Sequence, residues 1–226
     1  MLIFHLDPLA SSIFSFLVIV ALILAFVMLG SHWIRNHVYA FAAESWVIAA
    51  LSAAIGFYGH YPELFIIAAL TALLRGTVLP FLLLRIIRDL KLNREFTPLL
   101  QPSSSLVIGG LLVVFSYALA HKIGLRLDLV NSIAVLALTT MFGMKLIGFL
   151  MLVLRTEAVS SILGLLVIEN GIFLGSQILV PGMPLLLEMV ILFDLLIIVS
   201  TFGLLIRYLH REIGTTSSRD LTRLVG

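Results

Sequence analysis

The chain contains no cysteine. That excludes cysteine-held iron–sulfur clusters, haem attached through thioethers and any disulfide framework. Charge is scarce too. Asp, Glu, Lys and Arg make up 12% of 226 residues, hydrophobic residues make up 61%, and mean hydropathy is +1.18. A soluble domain carries roughly 25% charge and 45–50% apolar residues. A water-soluble fold of this size cannot solvate so little polar surface, which excludes a soluble enzyme, a nucleic-acid binder and a disordered chain. A net charge of +2 is too small to imply an acidic partner. The period-2 alternation of barrel strands is missing as well, which argues against a membrane β-barrel.

Long apolar runs are what the chain has instead. A spanning helix needs about 20 mostly apolar residues. Candidate spans cover 9–31, 38–58, 64–84, 104–121, 129–154, 158–180 and 184–206. The predicted fold is an all-α polytopic membrane protein of about seven transmembrane helices, forming one membrane domain over 1–226. The longest loop runs from about Arg85 to Ser103, too short for an extramembrane domain. The first span is expected to be retained: its leader has Asp7 and no Lys or Arg, unlike a secretory signal.

Cations set the orientation. One side collects Arg35, Arg85, Arg88, Lys91, Arg94, Arg155, Arg207, Arg211, Arg219 and Arg223, and the other only Lys122 and Arg126. The expected N-terminus is therefore outside and the C-terminus cytoplasmic, in the inner membrane of a prokaryote. Gly59-His60-Tyr61-Pro62 and Pro181-Gly182-Met183-Pro184 read as tight outer turns. Basic inner turns and Pro-containing outer turns recur in both halves. The layout suggests a three-helix unit over 9–84, a connector helix over 104–121, and a second three-helix unit with a cytoplasmic tail over 129–226.

Six charges fall inside spans: Glu44, Arg75, Lys145, Glu169, Glu188 and Asp194. Each costs at least ~2.5–3.5 kcal/mol at a helix centre, so each needs a partner, water or a function. At 1.5 Å per residue, Arg75, Glu169 and Asp194 sit near mid-depth. Glu44 and Lys145 lie ~6 Å toward the inner side and Glu188 ~10 Å toward the outer side. Acids and bases at one depth can pass protons along a hydrated row. Blander readings stand beside this one. Arg75 with Glu169 or Asp194 forms a structural ion pair, Glu44 and Lys145 snorkel to the interface, and Glu188 is interfacial. Gly171 and Gly175 form a small-xxx-small pair facing away from Glu169. Pro80 is a candidate kink beyond Arg75, and Asn170 and Gln177 are candidate interhelical hydrogen bonders. The six histidines lie near span ends without metal-ligand spacing. No nucleophile–base arrangement or glycine-rich phosphate loop occurs, so no catalytic, cofactor-binding or metal residue is assigned.

The segment from Thr71 through Arg75 to Pro80, the triplet Glu169-Asn170-Gly171, Asp194 and the tail from Arg219 to Gly226 resemble hydrogenase-4 component E. That family belongs to formate-hydrogenlyase-type and related group 4 [NiFe] hydrogenase complexes. The last three spans also resemble the small K-type (4L-like) subunit of respiratory complex I, which carries a glutamate in each of its last two helices. Anchoring on Gly164 and Asn170 puts the first of these at Leu166, and anchoring on His210 puts the second at Ile198. The acids present here, Glu169 and Asp194, are each about one turn away, and both are displaced outward. The resemblance implies a non-catalytic subunit of an oxidoreductase complex. Its partners would be antiporter-like membrane subunits, a quinone-site-like membrane anchor and a peripheral hydrogenase arm. Iron–sulfur clusters and the [NiFe] centre would reside in those partners. Glu169 and Asp194 would be proton-relay carboxylates, with Arg75, Lys145, Glu44 and Glu188 as auxiliary charges. A purely structural bridging subunit and a stand-alone secondary transporter are the alternatives.

Overall fold

The computed structural model describes residues 8–89, 101–126, 132–155, 158–179, 200 and 203–204. All regular structure among these residues is helical: α1 (Pro8–Gly30), α2 (Ile34–Gly59), α3 (Glu63–Leu73), a π-helical turn (Leu74–Val78), α4 (Leu79–Asp89), α5 (Pro102–Arg126), α6 (Ser132–Leu154) and α7 (Ala158–Leu179). The segments α3, π turn and α4 form one continuous span, so the described residues contain six helices long and apolar enough to cross a membrane. The candidate span 184–206, with Glu188 and Asp194, lies outside the described residues.

Three of the described spans overrun the apolar runs that predict them. Helix α2 starts at Ile34 rather than 38, α4 continues to Asp89, and α5 ends at Arg126 rather than 121. The added turns carry Arg35, Arg85, Arg88, Lys122 and Arg126. A helix satisfies its own backbone, so it has no reason to stop where hydrocarbon gives way to headgroups.

Helix α1 shows how such a chain packs. Ala10, Phe14, Val18, Ala21, Ala25 and Met28, spaced three or four apart, are buried, while Phe16, Ile19, Ile23 and Val27 face outward. Both faces are apolar, as expected where the surroundings are lipid rather than water. Among the described helices, α6 and α7 make the most extensive contact. Glycine permits it: a Cβ on Gly148 would stand 2.5 Å from the Gly164 carbonyl oxygen, and one on Gly164 would stand 2.8 Å from that of Gly148. Gly171 and Gly175 continue this seam against Met144 and Met141. Helix α2 packs on α1, α3, α4 and α7, which makes it the inner wall against which the polar residues gather. Among the described residues, helix α5 is the least buried span.

The turns gather alternate helix ends. His60 adopts a left-handed conformation (φ 56°) and donates its backbone N–H to Gly56, reversing the chain before Pro62. At the opposite end, Arg155 after α6 bonds the end of α1, and Gly30 packs against Leu106 at the start of α5. Arg35, Arg85, Arg88 and Arg155 consequently share one end of the bundle, and Lys122 and Arg126 lie at the other.

Candidate functional site: a buried charge cluster at mid-depth

The middle of the third span is where the helix departs from α geometry. The Leu79 N–H bonds the carbonyl of Leu74, five residues back, and the Thr77 hydroxyl donates to Ala72 at 3.0 Å. Pro80 supplies a cause. It has no N–H for the Gly76 carbonyl, and its ring crowds that carbonyl, so the preceding turn widens. Gly76 makes the wide turn fit, because a Cβ there would meet the Trp46 indole at 2.9 Å. Single π turns of this kind recur at functional positions. This one carries Arg75, whose side chain is fully buried.

Helix α7 supplies the partners of Arg75. Its Nη1 donates to Asn170 Oδ1 on α7 at 3.0 Å. Its Nη2 lies 3.8 Å from Glu169 Oε2, also on α7. The guanidinium stands over the Phe173 ring with Cζ 4.9 Å from the centroid, a cation–π contact strengthened by the burial of Arg75. Asn170 then turns the network toward α2. Its Nδ2 donates to Glu44 Oε2 at 2.8 Å and approaches Ser45 Oγ at 3.4 Å. Glu44 is fully buried, and its Oε1 has no hydrogen-bond partner among the described residues. Glu169 keeps 18% of its side-chain surface exposed.

One amide thus connects two carboxyl groups through one guanidinium. With Arg75 and Glu169 ionised, the set is neutral when Glu44 carries a proton and singly negative when it does not. The charge of the set thus turns on one proton at Glu44. Glu44 sits at the closed end, and Glu169 at the end that reaches the surface.

The six in-span charges therefore divide. Glu44, Arg75 and Glu169 come together. Lys145 does not join them: its ammonium lies 5.8 Å from the Phe142 ring centroid, and its backbone packs on Gly171, on the face of α7 away from Glu169. Glu188 and Asp194 lie outside the described residues. Leu166, the position where the resemblance places the family glutamate, is buried among apolar neighbours. Asn170, taken from sequence only as interhelical glue, is the hub of the cluster. Ser45 and Phe173 were not singled out at all. Their signal was position: Phe173 stands one turn after Glu169-Asn170, and Ser45 follows Glu44. Among the described residues, no three His, Asp or Glu side chains are gathered as metal ligands.

A second buried arginine lies at the basic end. Arg155 Nη2 donates to the carbonyls of Leu29 (2.6 Å), Ser31 (3.0 Å) and Met28 (3.5 Å), satisfying the exposed end of α1. His37 Nε2 also bonds the Ser31 carbonyl, at 2.9 Å. From sequence alone Arg155 is a topology-setting cation; the fold makes it a cap on α1 as well.

These features define a class: a multi-spanning helical membrane protein with an arginine–carboxyl cluster at mid-depth. The chain is 32% identical over 152 residues to the uncharacterized protein Rv0085 of Mycobacterium tuberculosis, covering 67% of this chain and 68% of that protein, and it belongs to that protein's family. No family model matches the chain. No solved structure matches it either.

Proposed function

We infer that the chain is a non-catalytic membrane-arm subunit of a complex I-like hydrogenase or related redox complex, of the hydrogenase-4 component E type. It has seven spans, its N-terminus outside and its C-terminus in the cytoplasm of a prokaryote. Its part is to hold a segment of the proton path, while partner subunits carry the electrons, the iron–sulfur clusters and the [NiFe] centre. The observation that supports this reading is the Glu44–Asn170–Arg75–Glu169 cluster. It joins α2, the π turn and α7 at one depth, and it presents two proton-binding groups on either side of a fixed positive charge. The resemblance to the K-type subunit fits an acid in this helix, one turn from the position at Leu166. Moving it to 169 brings the carboxylate beside Arg75, whereas an acid at 166 would enter the apolar core. Asp194 is the second relay carboxylate of the proposal, and Lys145 and Glu188 are auxiliary charges.

A structural bridging role is the competing reading, favoured by the same fact that Arg75 and Asn170 together tie three segments. The two readings separate experimentally. In the assembled complex, Glu44→Gln and Glu169→Gln are expected to leave subunit composition on blue-native gels unchanged while lowering proton translocation per electron at least tenfold. Full translocation by an assembled Glu44→Gln/Glu169→Gln double variant would sink the relay. Loss of assembly in each single amide variant would favour the bridge.

A further inference from the structure

At the basic end, α2 and α4 enclose a groove of about 280 Å³ lined by Arg35, Tyr39, Phe81, Leu84, Arg85 and Arg88. Its lining is layered. The three arginines ring the mouth. Tyr39 and Phe81 each stand four residues, ~6 Å, deeper on the same helix faces. Trp46, 54% exposed, lies about two turns deeper again on that face of α2. The arginines are exposed, and among the described residues no carboxylate pairs with them.

Excess cation at one end of a bundle is expected from topology alone. Topology does not require three guanidinium groups from two helices to converge on one groove, nor aromatic walls directly beneath them. That order of charge, aromatic ring and apolar surface matches a phospholipid read from phosphate to ester to acyl chain. Guanidinium is suited to phosphate because its planar fork donates two parallel hydrogen bonds. Basic pockets between spanning helices are suited to anionic headgroups in the same way.

We propose that the groove between α2 and α4 is a binding site for one anionic phospholipid. Arg35, Arg85 and Arg88 hold its phosphate, Tyr39 and Phe81 flank its glycerol esters, and an acyl chain runs down the face of α2 toward Trp46. The lipid forms part of the wall around Trp46, which covers Gly76 beside the π turn. The site is independent of the proton-relay reading, since none of the groove residues belongs to the charge cluster.

The chain has two tryptophans, and this provides the test. The full-length Trp33→Phe protein leaves Trp46 as the reporter. It is reconstituted in phosphatidylcholine nanodiscs containing a few mole per cent of phosphatidylglycerol brominated at mid-chain, or of the identically brominated phosphatidylcholine. The expected result is at least tenfold stronger quenching per mole of the anionic lipid. Arg35→Gln alone reduces the preference about fivefold, and Arg35→Gln/Arg85→Gln/Arg88→Gln abolishes it. Arg35 is exposed at a helix start, so the single variant keeps the test readable if the triple variant folds poorly. Equal quenching by the two lipids overturns the proposal and leaves the groove to an acidic segment of a partner protein.

Discussion

Arg75 and Arg155 are both buried arginines in a chain with few charges to place, yet their surroundings differ in kind. Arg155 sits at the basic end, and its guanidinium bonds backbone carbonyls at the end of α1. Those acceptors are fixed dipoles that cannot gain or lose a proton, so these contacts close a helix end. Arg75 sits at mid-depth against an amide, a ring and a carboxylate, with a second carboxyl one hydrogen bond away. Its neighbours can change charge. Burial alone therefore does not separate an arginine that holds the fold from one that can serve chemistry; what separates them is whether its partners can titrate.

The largest expected effect breaks this comparison at Arg75. Arg75→Met leaves two carboxyl groups without their cation, and removing one partner of a buried charged set costs about 3–5 kcal/mol. The loss should be reversible by design. Adding Glu44→Gln and Glu169→Gln removes the uncompensated charge, so the triple variant should regain most of the lost stability, measured by thermal unfolding in detergent. A triple variant no more stable than Arg75→Met would mean that the guanidinium is held by packing rather than by charge. Arg155→Met comes next, at about 2 kcal/mol for orphaned carbonyls at a helix end. Neither Glu44→Gln nor Glu169→Gln should rescue it, and Arg155→Lys should restore part of it. Rescue of Arg155→Met by Glu44→Gln would erase the distinction between the two arginines.

Much of the fold was legible because lipid simplifies the code. Twenty or so apolar residues announce a span, and the spans at 9–31, 38–58, 64–84, 104–121, 129–154 and 158–180 each meet a helix. Their ends were less legible, since helices continue into the interface on polar residues such as Arg88 and Arg126. Depth counting placed Arg75 and Glu169 at one level, and they lie 3.8 Å apart. It could not say which faces meet. Lys145, at a similar depth, stands on another face and is not part of the cluster. Nor could counting weigh Asn170, because an uncharged amide carries no insertion penalty large enough to demand attention. Arg155 misled in the opposite direction: at a helix end, a cation satisfies the rule for loops and the geometry of a cap equally well. The π turn was signalled only indirectly, by Pro80 one turn beyond Arg75.

The smallest expected effect concerns that turn. A methyl group on Gly76 would stand 2.9 Å from Trp46 Cδ1 and Nε1, too close to be tolerated without movement. Trp46 is half exposed, and the contact lies at its indole, so the ring can swing outward and the stability cost of Gly76→Ala should be only about 1 kcal/mol. The consequence is local: Trp46 leaves the π turn, and Gly76 no longer anchors the residue beside Arg75. In the Trp33→Phe background, Gly76→Ala should shift Trp46 emission and weaken the Arg75 contacts to Asn170, while leaving the Arg155 end untouched. Two readouts separate these effects. Double-mutant coupling between positions 75 and 170 should fall in the Gly76→Ala background, and coupling between Arg155 and His37 should not. If both couplings fall together, the two arginines are not separate devices, and the bundle transmits strain along its whole length. If neither changes, the close fit of Trp46 on Gly76 has no part in holding Arg75, and the π turn alone positions it.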